Sequence, residues 1–458
     1  MATASPQTKA EKRSVVDSFT EWSLNWVPDS MVFVLALTLV VFLMCLGFTK
    51  HGPFELMDDY AKGFWVLLTF AMQLTIMMIT GFVVSDSKVV KRLIVALVDW
   101  PKTRNATIFM FCFTAGFIAW LHWGIGLMFS MVMGREIAVR KRGLGIHYPL
   151  LVAASYSMMV IMANGPSQSA PLIVATAGNF LEKVVPIIPL TQTALSPFLL
   201  MFMLFQFLTL PILYILLMPK KEKAVELDEA TLRQFTYVEP PKSEQAMRPA
   251  ERWEHSKILP TLLGLIILVW VGRFLVLNGV VKLDLNVINF AFFGLGLLLH
   301  GSAHSFIASV RQGVGTTFGV IIQFPLYAGI FGLISYSGLA AVITHWFIAI
   351  STPNTYAVIV LIYTTIMDFL IPSGGSKFVI EAPYIIPAGQ QLGIPVAHII
   401  NAYSTGGQLA NNIQPFWALP FLATYKVRFQ DILPYTFAVF VYAGVVGMIV
   451  FALFPHGL

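Results

Sequence analysis

Residues 356–387 form an apolar segment long enough to enter a bilayer, yet its middle reads Asp368-Phe-Leu-Ile-Pro-Ser-Gly-Gly-Ser-Lys377. Pro372 lacks a backbone donor, and Gly374-Gly375 disfavour helix. Asp368 and Lys377 would each cost about 2.5–3.5 kcal/mol at the centre of a lipid-facing helix. Broken backbone at membrane depth survives only where protein or a water-filled cavity surrounds it. This stretch is therefore expected to form one wall of a buried polar site, with the rest of the chain as its frame.

The frame is membrane-spanning. Of 458 residues, 57% are hydrophobic and 11% charged, against about 25% charged in soluble domains. Apolar windows of about 20 residues recur, each enough for a transmembrane helix. They are too long, and too uniformly apolar, for the alternating strands of a β-barrel. The fold class expected is an all-α polytopic membrane protein. The net charge of +6 is explained by basic cytoplasmic loops rather than by nucleic acid. Cys45 and Cys112 both lie in apolar runs, which suits packing better than a disulfide or a metal.

In chain order, residues 1–30 hold an amphipathic stretch with Val15, Val16, Phe19, Trp22 and Trp26 at helical spacing. It is expected as an interfacial helix, following no cleavable signal. Spans are expected at 31–48, 64–84, 196–218, 259–277, 287–300, 315–334 and 433–454. Residues 88–100 and 339–350 suit short surface helices. Three further apolar segments are broken, at Leu121-His-Trp-Gly-Ile-Gly126, Ala163-Asn-Gly-Pro-Ser-Gln168 and Gly406-Gly-Gln-Leu-Ala-Asn-Asn-Ile-Gln-Pro415. The first, within 106–139, reads as two spans or as one re-entrant hairpin. Residues 219–258 are the one long polar segment, expected as a cytoplasmic linker. It separates a first unit, 31–218, from a linking helix, 259–278, and a second unit, 279–458.

The two units match at a fixed shift. At 250 residues Gly63 meets Gly313, Gln73 meets Gln323, Ser85 meets Ser335, Ser87 meets Ser337 and Gly124 meets Gly374; at 247, Tyr156-Ser157 meets Tyr403-Ser404 and Asn164 meets Asn411. The breaks fall in register. From a cytoplasmic N-terminus an odd number of crossings separates the units, so the repeat is expected to be inverted. Most Lys and Arg then fall on cytoplasmic segments, with Lys50, Lys62, Lys183 and Lys282 on the outer side. Inverted repeats with interrupted helices mark secondary transporters, whose half-helix N-termini suit a carboxylate and whose freed carbonyls suit a cation.

Several of these residues also carry a family likeness. Pro372-Ser-Gly-Gly-Ser376, Phe378-Val-Ile380, Pro383 and Gln414-Pro-Phe-Trp-Ala-Leu-Pro420 resemble the bacterial short-chain fatty acid transporters of acetoacetate and butyrate type. So do Gly63-Phe-Trp65, Trp123-Gly124, Arg135-Glu136, Tyr148-Pro-Leu-Leu151 and Gln323-Phe-Pro325. The resemblance implies an inner-membrane permease for small monocarboxylates within the ion-transporter superfamily. It further implies two hairpins and two unwound helices in an elevator domain, beside a scaffold that dimerises. One site half would be the tip His122, Trp123, Gly124 and Gly126 facing Asn164, Gly165 and Ser167. The other would be Ser373, Gly374, Gly375, Ser376 and Lys377 facing Asn411, Asn412 and Gln414. Coupling by Na⁺ or H⁺ would involve Gly126, Asn164, Asp368, Ser373 and Asn411; no other metal or cofactor is implied. Lys377, Asp368 and Glu381 are more charged than the family pattern.

Each of these residues has a plainer reading. Lys377 either holds the carboxylate or pairs with Asp368 or Glu381. Asp368 either carries the coupling ion or pairs structurally. His122 is a relay, or a satisfied buried histidine. The asparagines are ligands or helix caps. Gln73 and Gln323 suit helix–helix contacts, as do Gly294 and Gly296. Other small organic anions such as dicarboxylates remain an alternative cargo. A channel and a membrane-embedded enzyme are disfavoured; the chain has neither an HExxH nor a GxSxG motif.

Overall fold

The computed structural model describes residues 30–182, 185–236, 248–315 and 317–458. The expected interfacial helix of residues 1–30 lies almost wholly outside them, as does Lys183. Among the described residues there is helix and no strand, and seven helices are long and apolar enough to cross a membrane.

Helix ends fall where the sequence supplies caps. Ser87, Thr103, Ser196, Asp284 and Ser302 each accept a backbone N–H from the first turn of the helix they precede, satisfying a donor that the helix itself cannot. Gly301 ends the helix Leu285–His300 in the left-handed region, with φ +67°, a conformation that suits glycine.

Two helices, Leu68–Asp86 and Phe318–Tyr336, form the centre of the frame. Ser30–Phe48 and Pro53–Phe64 pack on the second of them, while Leu285–His300 and Ala303–Val314 pack on the first. Each short helix therefore lies against the other half of the chain. One contact is close enough to require glycine: a Cβ on Gly63 would lie 2.6 Å from Gly332 Cα, whereas one on Gly313 would meet Phe82 at an ordinary 3.4 Å. Asn289 donates to the Gln73 carbonyl at 2.8 Å and Gln73 donates to Asn286 at 2.7 Å, so Gln73 does join helices. The linking helix Ile258–Asn278 crosses Leu285–His300 where a Cβ on Gly264 would lie 2.9 Å from the Gly294 carbonyl. Its outer face carries Leu262, Ile266, Val269 and Val276, all exposed, as a face toward acyl chains requires.

The segment 106–139 resolves into two helices, Arg104–Leu121 and Trp123–Arg140, hinged at His122. A Cβ on Gly126 would sit 2.2 Å from Ala119 Cα, so glycine is what lets the two arms close. The opening stretch forms a second such hairpin, from Tyr356–Leu370 and Gly374–Gln391.

The polar linker is more attached than its composition implies. Gly143 and Gly145 N–H groups grip the Glu226 carboxylate at 2.7–3.0 Å, and Arg142 pairs with Glu229 at 2.7 Å. The short helix Glu229–Thr236 ends over Arg135, which donates to the Phe235 carbonyl at 2.7 Å. Asp228 caps that helix through Thr231, and these bonds hold its carboxyl below the usual aspartate range.

Candidate functional site

The two hairpins turn on residues with almost the same backbone. His122 has φ −151° and ψ 107°; Ser373 has φ −144° and ψ 108°. Each is extended, and each caps the helix that follows. His122 Nδ1 accepts from Ile125 N–H at 3.3 Å, and Ser373 Oγ accepts from Ser376 N–H at 3.4 Å.

An α-helix leaves its first N–H groups without internal partners. In the helix Gly374–Gln391, Ser376 N–H goes to the Ser373 hydroxyl and Lys377 N–H to the Ser373 carbonyl. That leaves the N–H groups of Gly374 and Gly375, and both residues line a cavity of about 70 Å³. Its other walls are Trp123 and Leu127 from the first hairpin, Gln168 and Ser169, Gln408 and Trp417, and the apolar Leu74, Met78, Met162, Val320 and Phe324. A wider cavity of about 460 Å³ shares Met78, Trp123, Leu127, Val320, Phe324, Ser373 and Trp417 with it, and adds Gly124, Ser376, Phe416 and other mainly apolar side chains. No lining residue of either cavity is charged.

The broken helices stand behind the tips. The first runs Tyr148–Ser157, a short turn Met159–Met162, then Ser169–Ala175; the second runs Val396–Gly406, a turn Ala410–Asn412, then Leu419–Tyr425. They are cross-tied. Tyr156 OH donates to the Asn411 carbonyl, and Thr405 Oγ1 donates to Asn164 Oδ1 at 2.9 Å. Tyr425 OH reaches the Met131 carbonyl at 2.8 Å and Tyr148 OH the Tyr425 carbonyl at 2.7 Å.

The sequence candidates divide accordingly. Trp123, Gly124, Ser373, Gly374, Gly375 and Ser376 line the cavities. His122, Gly126, Asn164, Gly165, Ser167, Asn411, Asn412 and Gln414 do not; they brace the tips. Ser167 Oγ accepts Trp123 N–H at 2.9 Å. A Cβ on Gly165 would collide with the Trp120 carbonyl at 2.1 Å. Asn411 ties Gln408 at 2.6 Å and Gln414 at 2.7 Å. His122 is fully buried, with its ring against Phe292.

Lys377 also lines neither cavity. Its Nζ lies 3.5 Å from Asp368 Oδ1 and donates to the Thr364 carbonyl at 2.9 Å and the Gly407 carbonyl at 3.3 Å. Lys377, Asp368 and Glu381 are all completely buried. Of the two readings of this lysine, the geometry gives the pair with Asp368. Among the described residues, no group of three or more His, Cys, Asp or Glu side chains is placed to hold a metal ion.

Gln168, Ser169, Gln408 and Trp417 are lining residues that the sequence candidates omit. All four lie in or beside breaks visible in the sequence, but direction on an unwound segment has no period to read. Trp417 Nε1 donates to the Pro372 carbonyl, fastening the second tip. Trp417→Phe removes that bond and trims the ring that lines both cavities. The expected cost is about 1 kcal/mol, seen as a lower Tm of the detergent-solubilised protein.

Two solved structures share this architecture. The Alcanivorax borkumensis YdaH transporter aligns over 94% of this chain and 100% of its own, with TM-score 0.56 and 14% identity. Neisseria gonorrhoeae MtrF, described with a class of antimetabolite efflux pumps, aligns over 95% and 97%, with TM-score 0.61 and 12% identity. The helical fold is thus one shared with these two proteins. The chain belongs to the short chain fatty acid transporter family, whose profile matches residues 13–454, and so to the multi-pass membrane transporters rather than to the enzymes. A provisionally named short-chain fatty acid transporter of Escherichia coli K12 is 32% identical over 435 residues, covering 95% of this chain and 98% of its own. Its Haemophilus influenzae counterpart is 28% identical over 432 residues, covering 93% and 96%.

Proposed function

We propose that this protein is a cation-coupled carrier of short-chain monocarboxylates such as butyrate and acetoacetate, working as an elevator in a bacterial inner membrane. One observation carries the choice of cargo. The cavity offers two free N–H groups at one helix N-terminus and no charged side chain, and its remaining walls are largely apolar. A helix N-terminus carries about half a positive charge, which suits one carboxylate. A second carboxylate would meet apolar wall and lose its hydration without return. The short alkyl tail rests on Leu74, Met78, Leu127 and Phe324.

The inverted repeat is supported by reciprocity. Gly63 faces Gly332 while Gly313 faces Phe82, and both pairs are exchanged by the same shift of 250. The matching backbone at His122 and Ser373 points the same way. In this reading the N-terminus is cytoplasmic, and the frame helices serve as a scaffold that pairs two copies in the bilayer.

Counterflow in proteoliposomes tests the reading. Liposomes loaded with unlabelled butyrate are expected to accumulate labelled butyrate transiently and saturably, with acetoacetate competing and succinate not. Linear, uncompeted entry would refute a carrier, and competition by succinate would refute the monocarboxylate assignment.

A further inference from the structure

Around Lys377 the second hairpin builds an oxygen cage. Two backbone carbonyls, of Thr364 and Gly407, face Nζ at 2.9 and 3.3 Å, and Asp368 Oδ1 stands at 3.5 Å. The Tyr403 ring centre lies 5.5 Å away, within the range of a cation–π contact. Asp368 is itself fixed, its Oδ2 accepting Asn411 N–H at 3.2 Å. Glu381 lies one helical turn beyond, buried beside Tyr363 and Tyr403.

A carbonyl freed at a helix break, together with a carboxylate, is how transporters hold a small hard cation; Gly407 stands at such a break, whereas Thr364 lies within the helix Tyr356–Leu370. Here an ammonium fills that position, and the side chain is wholly enclosed. The three N–H donors of the ammonium are met by one carboxylate and two carbonyls, one of them, Gly407, at the end of a half of the broken helix. The first hairpin has no equivalent. Counting from the tip residues His122 and Ser373, the first hairpin has Gly126 and Phe117 at the sequence positions of Lys377 and Asp368.

We infer that the Lys377 ammonium is a resident, covalently tethered cation occupying the coupling-ion position of the second hairpin, so that this position takes no Na⁺. The inference rests on the carrier reading for its meaning in transport, but the cage itself can be tested without substrate. Lys377→Ala empties the cage and leaves its oxygens. The purified variant is expected to gain thermal stability with rising NaCl, as a ligand-binding native state does, and not with choline chloride at equal ionic strength. The Na⁺-specific gain of the variant is expected to exceed that of wild type. Lys377→Ala/Asp368→Asn is expected to lose the Na⁺ response. A folded Lys377→Ala protein indifferent to Na⁺ would overturn the proposal, leaving Lys377 as a simple pair for Asp368. Should that variant not fold, Lys377→Ser carries the same measurement: it is expected to show the same Na⁺-specific gain in thermal stability, and a folded Lys377→Ser protein without that gain would overturn the proposal. Absence of butyrate uptake under any ion would count against the carrier reading only, because the thermal measurement remains readable.

Discussion

Asp368→Ala lowers the stability of the purified protein by about 3–5 kcal/mol, the cost of leaving one member of a buried ion pair alone. Lys377 is completely enclosed, and its remaining partners are two carbonyls and a ring. None of these cancels a full charge, and Glu381, the other buried carboxylate near Lys377, has no ion-pair contact with it. The Asn411 N–H also loses its acceptor. The fall is read as a drop in Tm in detergent, with Na⁺ giving no rescue because the ammonium still fills the cage. Asp368→Leu/Lys377→Met removes both charges and keeps bulk. It should recover most of the loss, since replacing a whole buried pair by apolar groups is often near neutral. A double variant as unstable as Asp368→Ala would show that packing, not charge, governs the site.

Gly375→Val abolishes measurable uptake while leaving the fold intact. Its φ is not in the left-handed region, so valine meets no backbone strain there. A Cβ at this position would stand 3.1 Å from Ser169 Oγ and 3.3 Å from Leu74 Cδ1, which a small shift of either can absorb. The two further methyl groups add bulk to the wall of a cavity of about 70 Å³ and are expected to crowd the substrate away from the N–H groups of the tip. Charge-assisted hydrogen bonds are worth about 1.5–3 kcal/mol each, so losing two weakens substrate binding roughly a hundredfold or more. Counterflow beside a Tm measurement separates the effects. Normal uptake would move the carboxylate away from this helix end, and a collapse of Tm would show that the tip tolerates no side chain.

The helical frame was readable because its determinants are local. Length and uniform apolarity mark the spans, and Pro, Gly and Asn mark the breaks. The structure resolves 106–139 as two helices meeting at His122, a choice that depends on Gly126 closing onto Ala119 and so on a contact no pattern reports. Pro53–Phe64 and Ala303–Val314 were not legible. Each is only 12 residues, with charges such as Asp58, Asp59 and Lys62 or His304 and Arg311, too short and polar to read as spans. Within the site, tip residues were found because glycine pairs inside apolar runs are conspicuous. Gln168 and Gln408 were not singled out, since their neighbours Asn164 and Asn411 carry the same chemical signal and turn out to serve as braces. The segment read only as a polar linker because polarity speaks of solvent, whereas its anchorage to Gly143 and Gly145 uses backbone donors that leave no trace in composition.

The ties among Tyr156, Asn411, Thr405, Asn164 and Tyr425 set the gauge between the two tips. In the elevator reading proposed above, a chamber with that many crossbars does not yawn open like a jaw; its contents leave when the neighbouring wall slides past. A covalent staple between the two broken helices should therefore leave turnover unharmed, while one joining Leu74 to the second tip should stop it dead with the cargo still aboard.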